Sequence, residues 1–147
     1  GANGAFAKYM VVPTKIIHKV PENVSSESAA LAEPIACVVH AAIERVNIGP
    51  SETVVIQGPG PMGLIATQIA AIQGAGLIVV TGTSADGERL KIAKKLGADV
   101  TIDVEKENTV KVVNDLTSNL GADVLFEASG SPAARRRNGT WADPRDT

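Results

Sequence analysis

The chain has 147 residues, a formal net charge of −2 and 44% apolar residues, which suits one domain with a single core. So small a charge gives no drive toward nucleic acid or an anionic membrane, and a single cysteine excludes an intramolecular disulfide framework or a multi-cysteine metal site. No apolar run approaches the roughly 18 residues of a membrane span and the first residues show no signal-peptide pattern, so a soluble, cytoplasmic protein is expected. Aromatic residues make up 3%, so the core must be built from Val, Ile, Leu and Ala.

In chain order, residues 5–12 read as a strand without an evident partner. A helix runs from Ser26 to about Ala32, and Pro34 opens a second one. Its apolar stripe is Ile35, Val38, Val39, Ala42, Ile43 and Val46. Residues 53–57 form a β-prone run. A helix over 61–73 then places Met62, Ile65, Ala66 and Ile69 on one face, with Gly74 and Gly76 ending it. Residues 77–81 read as a buried second strand. Asp86 is positioned to cap a helix to Leu96, with Leu90, Ala93 and Leu96 inward and Gly97 at its end. Residues 100–102 are a short third strand. Val110, Val113, Leu116 and Leu120 mark another helix, stopped by Gly121, and 123–127 is a fourth strand. Strands separated by helices predict βαβ units: an α/β chain with a parallel sheet. Arg135, Arg136 and Arg137 begin a stretch to Thr147 with neither helical nor strand periodicity, expected to be an irregular, solvated tail.

The segment with chemical content is Gly58-x-Gly60-x-x-Gly63, lying between a strand and a helix. This order predicts a dinucleotide-binding site, against the alternatives of a plain tight turn or a nucleotide fold without its ligand. Gly58 permits the turn, Gly60 lets backbone approach a pyrophosphate, and Gly63 lets the helix lie on the strand. Pro61 and Met62 open the helix, whose free N–H groups and dipole suit phosphate. An acidic residue that binds the ribose 2′-hydroxyl of NAD is expected about 20 residues on, and Gly82 stands there instead. Thr83 and Ser84 add hydroxyls and Arg89 adds charge, which favours NADP over NAD. Asp86 is the counter-argument, because a longer turn would bring it to the ribose. Ala128, Ser129 and Gly130 follow the fourth strand, where parallel sheets place ligands.

Five blocks in order resemble the medium-chain dehydrogenase/reductase family, in its zinc-dependent alcohol, polyol (sorbitol) and threonine dehydrogenase branch. They are GAFAKYMVVP from Gly4, ALAEPIACVVH from Ala30, VVIQGPGPMGL from Val54, RLKIAKKLGAD from Arg89 and GADVLFEASG from Gly121. The resemblance covers about residues 4–134 and implies the central portion of such an enzyme. On that basis 1–24 is a remnant of a GroES-like catalytic domain and 25–50 carries linking helices. Residues 51–134 are a partial dinucleotide-binding domain with an incomplete doubly wound, Rossmann-type sheet, and 135–147 is a tail.

The resemblance also places a zinc ligand, or an acid beside the metal, at Glu33. Read from the residues alone, Glu33 is a carboxylate at a helix N-terminus, where a capping role is equally natural. Its partners, a cysteine and a Gly-His-Glu motif, are not in this sequence, so zinc belongs to the full-length parent and tight binding is not expected here. Cys37 shares a helix face with Glu33 and is expected to be a small buried residue rather than a pocket group; His18 and His40 are expected to be structural.

Two functional classes follow. One is the NADP-binding part of a dehydrogenase that moves hydride between an alcohol or polyol and the nicotinamide. The other is a non-catalytic nucleotide-binding fragment or degenerate paralogue; as an isolated chain, inactivity is expected. A methyltransferase shares a glycine motif after its first strand, but the Glu33-Pro34 and Arg89 blocks speak against it. Uncovered apolar surface predicts self-association.

Overall fold

A computed structural model describes residues 4–132 and residue 134. The predicted tail, 135–147, lies outside the described residues. The chain divides between Ala32 and Glu33 into two units.

In the first unit a 3₁₀ turn spans Thr14–Ile16 and helix α1 spans Ser26–Ala29. The Ser25 hydroxyl caps α1 by accepting from the Ser28 N–H at 3.2 Å. No strand forms over 5–12, contrary to the sequence expectation. The pattern is β-prone, but a strand exists only through a ladder, and none of the described residues pairs with this segment. Helix α1 is also shorter than expected, and a turn at Ala30 and Leu31 separates it from α2.

Helix α2 (Ala32–Val39) continues as π-type turns over His40–Arg45. Val38 and Ala42 of the predicted stripe are buried and Val39 and Ile43 half-buried, whereas Ile35 and Val46 are exposed. The π-type turns account for the outward turn of Val46, because they break the 3.6-residue period after Val39.

The sheet comprises β1 (Thr53–Gln57), β2 (Leu77–Gly82), β3 (Val100–Asp103) and β4 (Val124–Glu127). All pairings are parallel in the order β3-β2-β1-β4, with Val54 in register with Ile78 and Val124, and Val79 with Val100. The connecting helices are α3 (Pro61–Ile72), α4 (Gly87–Lys95) and α5 (Thr109–Leu116). Alternation along the strands sorts the core into two layers. Val54, Ile56, Ile78 and Val80 pack with Ala66, Ile69 and Ala70 of α3 and with Leu90 and Ala93 of α4. Val55, Val79 and Ile102 face the other way, onto Val113 of α5. Helices on both faces of a parallel sheet make it doubly wound.

The inward face of α3 is rotated from the sequence expectation: Gly63, Ala66, Thr67, Ile69 and Ala70 are buried, while Met62 and Ile65 are half-buried. Small residues let the helix lie close to the sheet. Thr67 joins them because its hydroxyl donates to the Gly63 carbonyl at 2.8 Å and needs no other partner. Helix α5 likewise stops at Leu116, earlier than predicted. Ser118 and Asn119 adopt left-handed backbone, and the Thr117 hydroxyl accepts from the Gly121 N–H at 2.9 Å. This turns Leu120 out to solvent.

Candidate functional site: a cleft at the carboxyl ends of the strands

The strand order reverses at β1, where consecutive connections leave toward opposite sheet edges. Open parallel sheets carry ligands at such a point. A cavity of about 960 Å³ lies there, lined by Gln57–Gly60, the end of β2, the loop after β3, the start of α5 and the loop after β4.

The three motif glycines have different duties. Gly58 has φ +96°, and a Cβ on it would stand 2.6 Å from Ser129 Cα, so the β1 and β4 loops cross there in backbone contact. A Cβ on Gly63 would overlap the Gly58 carbonyl oxygen, so Gly63 seats α3 against the turn. Gly60 lines the cavity with ordinary extended backbone (φ −71°), and nothing lies within 4 Å of where its Cβ would be. Behind it Pro61 occupies the first turn of α3, and no side chain of the described residues caps that helix, leaving its first N–H groups to an anion. Met62 is half-buried against the larger core layer, and neither it, Pro61 nor Gly63 is part of the cavity wall.

At the end of β2, Gly82 is buried, and a Cβ there would sit 3.1 Å from both Pro59 and Asp86. The turn after it is held by Asp86: its Oδ2 accepts from the Thr83 N–H at 3.1 Å and the Thr83 hydroxyl at 2.8 Å. Its Oδ1 accepts from Arg89 Nη1 at 3.1 Å. These contacts, the Thr83 N–H foremost, hold the Asp86 carboxyl below the usual aspartate range. The Ser84 hydroxyl donates to Asp103 Oδ2 at 2.7 Å and its N–H to Glu105 Oε2 at 3.1 Å. Asp103 is also held low, first by the Lys106 ammonium 2.8 Å away and then by Ser84. Thus Thr83 and Arg89 reach the cavity wall, whereas Ser84 is turned to the end of β3.

After β4, Ala128 and Ser129 line the cavity and Gly130 does not. Glu127 Oε1 shapes this loop, accepting from the Ser129 N–H at 2.8 Å and the Gly130 N–H at 3.1 Å. Sequence reading missed Glu127, Lys106 and Gln57. Gln57 is 5% exposed, lines the cavity, and its Oε1 has no hydrogen-bond partner among the described residues. A polar residue closing an otherwise apolar strand was the available signal.

Glu33 lies in the first turn of α2, as expected, but away from the cavity wall. Cys37 Sγ donates to Glu33 Oε1 at 3.4 Å, which pushes the thiol pKa up. Cys37 is exposed rather than buried, because it falls outside the stripe of α2 that Val38 and Ala42 bury. His40 Nδ1 lies 2.6 Å from Glu44 Oε2. Among the described residues no three of His, Cys, Asp and Glu converge to hold a metal, and zinc sites take at least three protein ligands. Zinc therefore does not fit the described residues. A dinucleotide does, in the open space at Gly60 and the uncapped helix behind it.

Residues 61–142 match the family model for zinc-binding dehydrogenases. The chain is 44% identical over 132 residues to D-arabitol-phosphate dehydrogenase from Enterococcus avium, covering 90% of this chain and 37% of that protein. It is 43% identical over 135 residues to sorbitol dehydrogenase from Halalkalibacterium halodurans, covering 91% and 39%. Among solved structures it superposes on an alcohol dehydrogenase from Thermus sp. ATN1 with a TM-score of 0.76 and 32% identity, covering 86% of this chain and 36% of that one. The chain thus spans a little over a third of the length of these relatives. A parallel 3-2-1-4 sheet, a glycine turn at its switch point and these matches agree: the chain belongs to the zinc-binding dehydrogenases, in the alcohol and polyol branch of the medium-chain dehydrogenase/reductase family.

Proposed function

We propose that the chain is the cofactor-binding part of an alcohol or polyol dehydrogenase and takes NADP in preference to NAD. The carrying observation is the contrast among the motif glycines. Gly58 and Gly63 are glycines because protein atoms crowd them, whereas at Gly60 no atom of the described residues stands within 4 Å of where a Cβ would be. Only a ligand drawn close to the backbone needs the third.

The bound nicotinamide would supply hydride transfer, and the residues described here bind and orient it. The pyrophosphate would lie over Gly60 and the first turn of α3. The preference for NADP is supported at the end of β2. Gly82 carries no carboxylate there, and the lone pairs of Asp86 go to Thr83 and Arg89 rather than to a ribose. Arg89 is largely exposed, and an exposed ion pair is worth less than about 1 kcal/mol, so its guanidinium can exchange Asp86 for a 2′-phosphate. Arg89→Ala would then weaken NADP binding severalfold and leave NAD unchanged in calorimetric titration. Equal losses for both cofactors would refute the assignment of Arg89 to the 2′-phosphate.

The second reading is cofactor binding without turnover. It is favoured by Glu33, which stands with Cys37 as its near neighbour and outside any cluster of three metal donors among the described residues.

A further inference from the structure

The described wall of the cleft is short of positive charge for the ligand proposed above, and this inference rests on that dinucleotide reading. Its charged side chains are the carboxylates of Asp86, Glu105 and Glu107 and the cations Arg89 and Lys106. Both cations already face carboxylates: Arg89 lies 3.1 Å from Asp86, and Lys106 lies 2.8 Å from Asp103. A dinucleotide is a polyanion, and the N–H groups that open α3 offer it only partial charge. A wall with an excess of acid repels such a ligand unless further cations stand near it.

The chain itself brings them to the cleft. Ser129 crosses the glycine turn in backbone contact at Gly58, and Ser131 and Ala134 line the same cavity further on. The next three residues in the sequence are Arg135, Arg136 and Arg137. The spacing of Cα atoms across trans peptides keeps the Arg137 Cα within about 11 Å of that of Ala134. All three arginines are therefore tethered at the wall of the cavity. The excess of acid that repels a polyanion attracts them. Arginine is also the cation best matched to phosphate, because its planar fork donates two hydrogen bonds at once. We propose that Arg135, Arg136 and Arg137 form a cationic arm that binds the phosphates of the cofactor and supplies the charge that the cleft wall lacks.

The test is calorimetric titration with the tighter of NADP and NAD and with inorganic pyrophosphate. It compares the unmodified chain with an arm variant carrying Arg135→Gln, Arg136→Gln and Arg137→Gln. A control carrying Lys91→Gln, Lys94→Gln and Lys95→Gln removes the same charge from α4, where none of the three lines the cavity. The arm variant should bind both ligands about tenfold more weakly, the worth of one charge-assisted hydrogen bond, and the loss should shrink as salt is added. Lysine at the three arm positions should restore most of the affinity, and the α4 control should stay within about twofold of the parent. Unchanged affinity in the arm variant would overturn the inference and leave the dinucleotide reading intact, as would an equal loss in the α4 control. Pyrophosphate binding by the unmodified chain that does not weaken with salt would overturn it as well, whether or not the variants fold. Failure of both dinucleotides to bind would sink that reading and this inference together.

Discussion

At the scale of single residues, the glycine motif separates what the fold requires from what a ligand requires. Gly63→Ala should destabilise the chain by about 1–3 kcal/mol, the usual cost of forcing an extra carbon into a packed site. Gly60→Ala should cost less than about 1 kcal/mol, since it only replaces glycine by alanine at a helix N-cap whose backbone any residue adopts. Urea unfolding of the two variants would check this, and similar losses would show that Gly60 is structural. The motif itself was legible in the sequence, because strand, spacing and helix all surround it. Its division of labour was not, since the atoms that crowd Gly58 belong to Ser129, 71 residues further on. Gln57 was missed because its burial depends on parallel pairing between distant strands, and Glu127 because its role depends on how the loop after β4 folds back onto its carboxylate.

Among the elements, the turn after β2 carries the clearest electrostatic prediction. Asp86 closes a capping box with Thr83 around the 3₁₀ turn Ser84–Asp86, and Asp86→Ala should cost about 1 kcal/mol at neutral pH. Because the folded carboxyl titrates below its unfolded value, the stabilisation is present above the ordinary aspartate pKa of about 3.9. It is lost as the pH falls through the lowered value. The stability gap between parent and variant should therefore be flat near neutrality and close on acidification. Asp103 titrates in the same window in both proteins, so the difference isolates Asp86. A gap that persists in acid would mean the side chain acts by packing. Periodicity made the four strands and helices α3 to α5 legible, while their faces and ends depended on tertiary detail. The rotated face of α3 follows from small residues meeting the sheet, and the early end of α5 from the Thr117 and Asn119 turn. Residues 5–12 had the composition of a strand and lacked the one thing composition cannot supply, a neighbour.

For the whole molecule, the four strands form a sheet whose outer members, β3 and β4, each have one partner among the described residues. Phe6, Tyr9 and Val11 are almost wholly solvent-exposed. Open edges and exposed large apolar groups favour association, so sedimentation should show a weight that rises with concentration in the micromolar range. A single monomeric species throughout would contradict this. The central claim, a working dinucleotide site at the switch point of the sheet, is tested most directly by calorimetric titration of the chain and its Gly60→Ala variant with NADP and NAD. Saturable binding by the parent, weakened roughly tenfold or more in a variant that unfolds at nearly the same denaturant concentration, is the predicted result. A folded parent that binds neither cofactor, or a variant that binds as tightly as the parent, would contradict it.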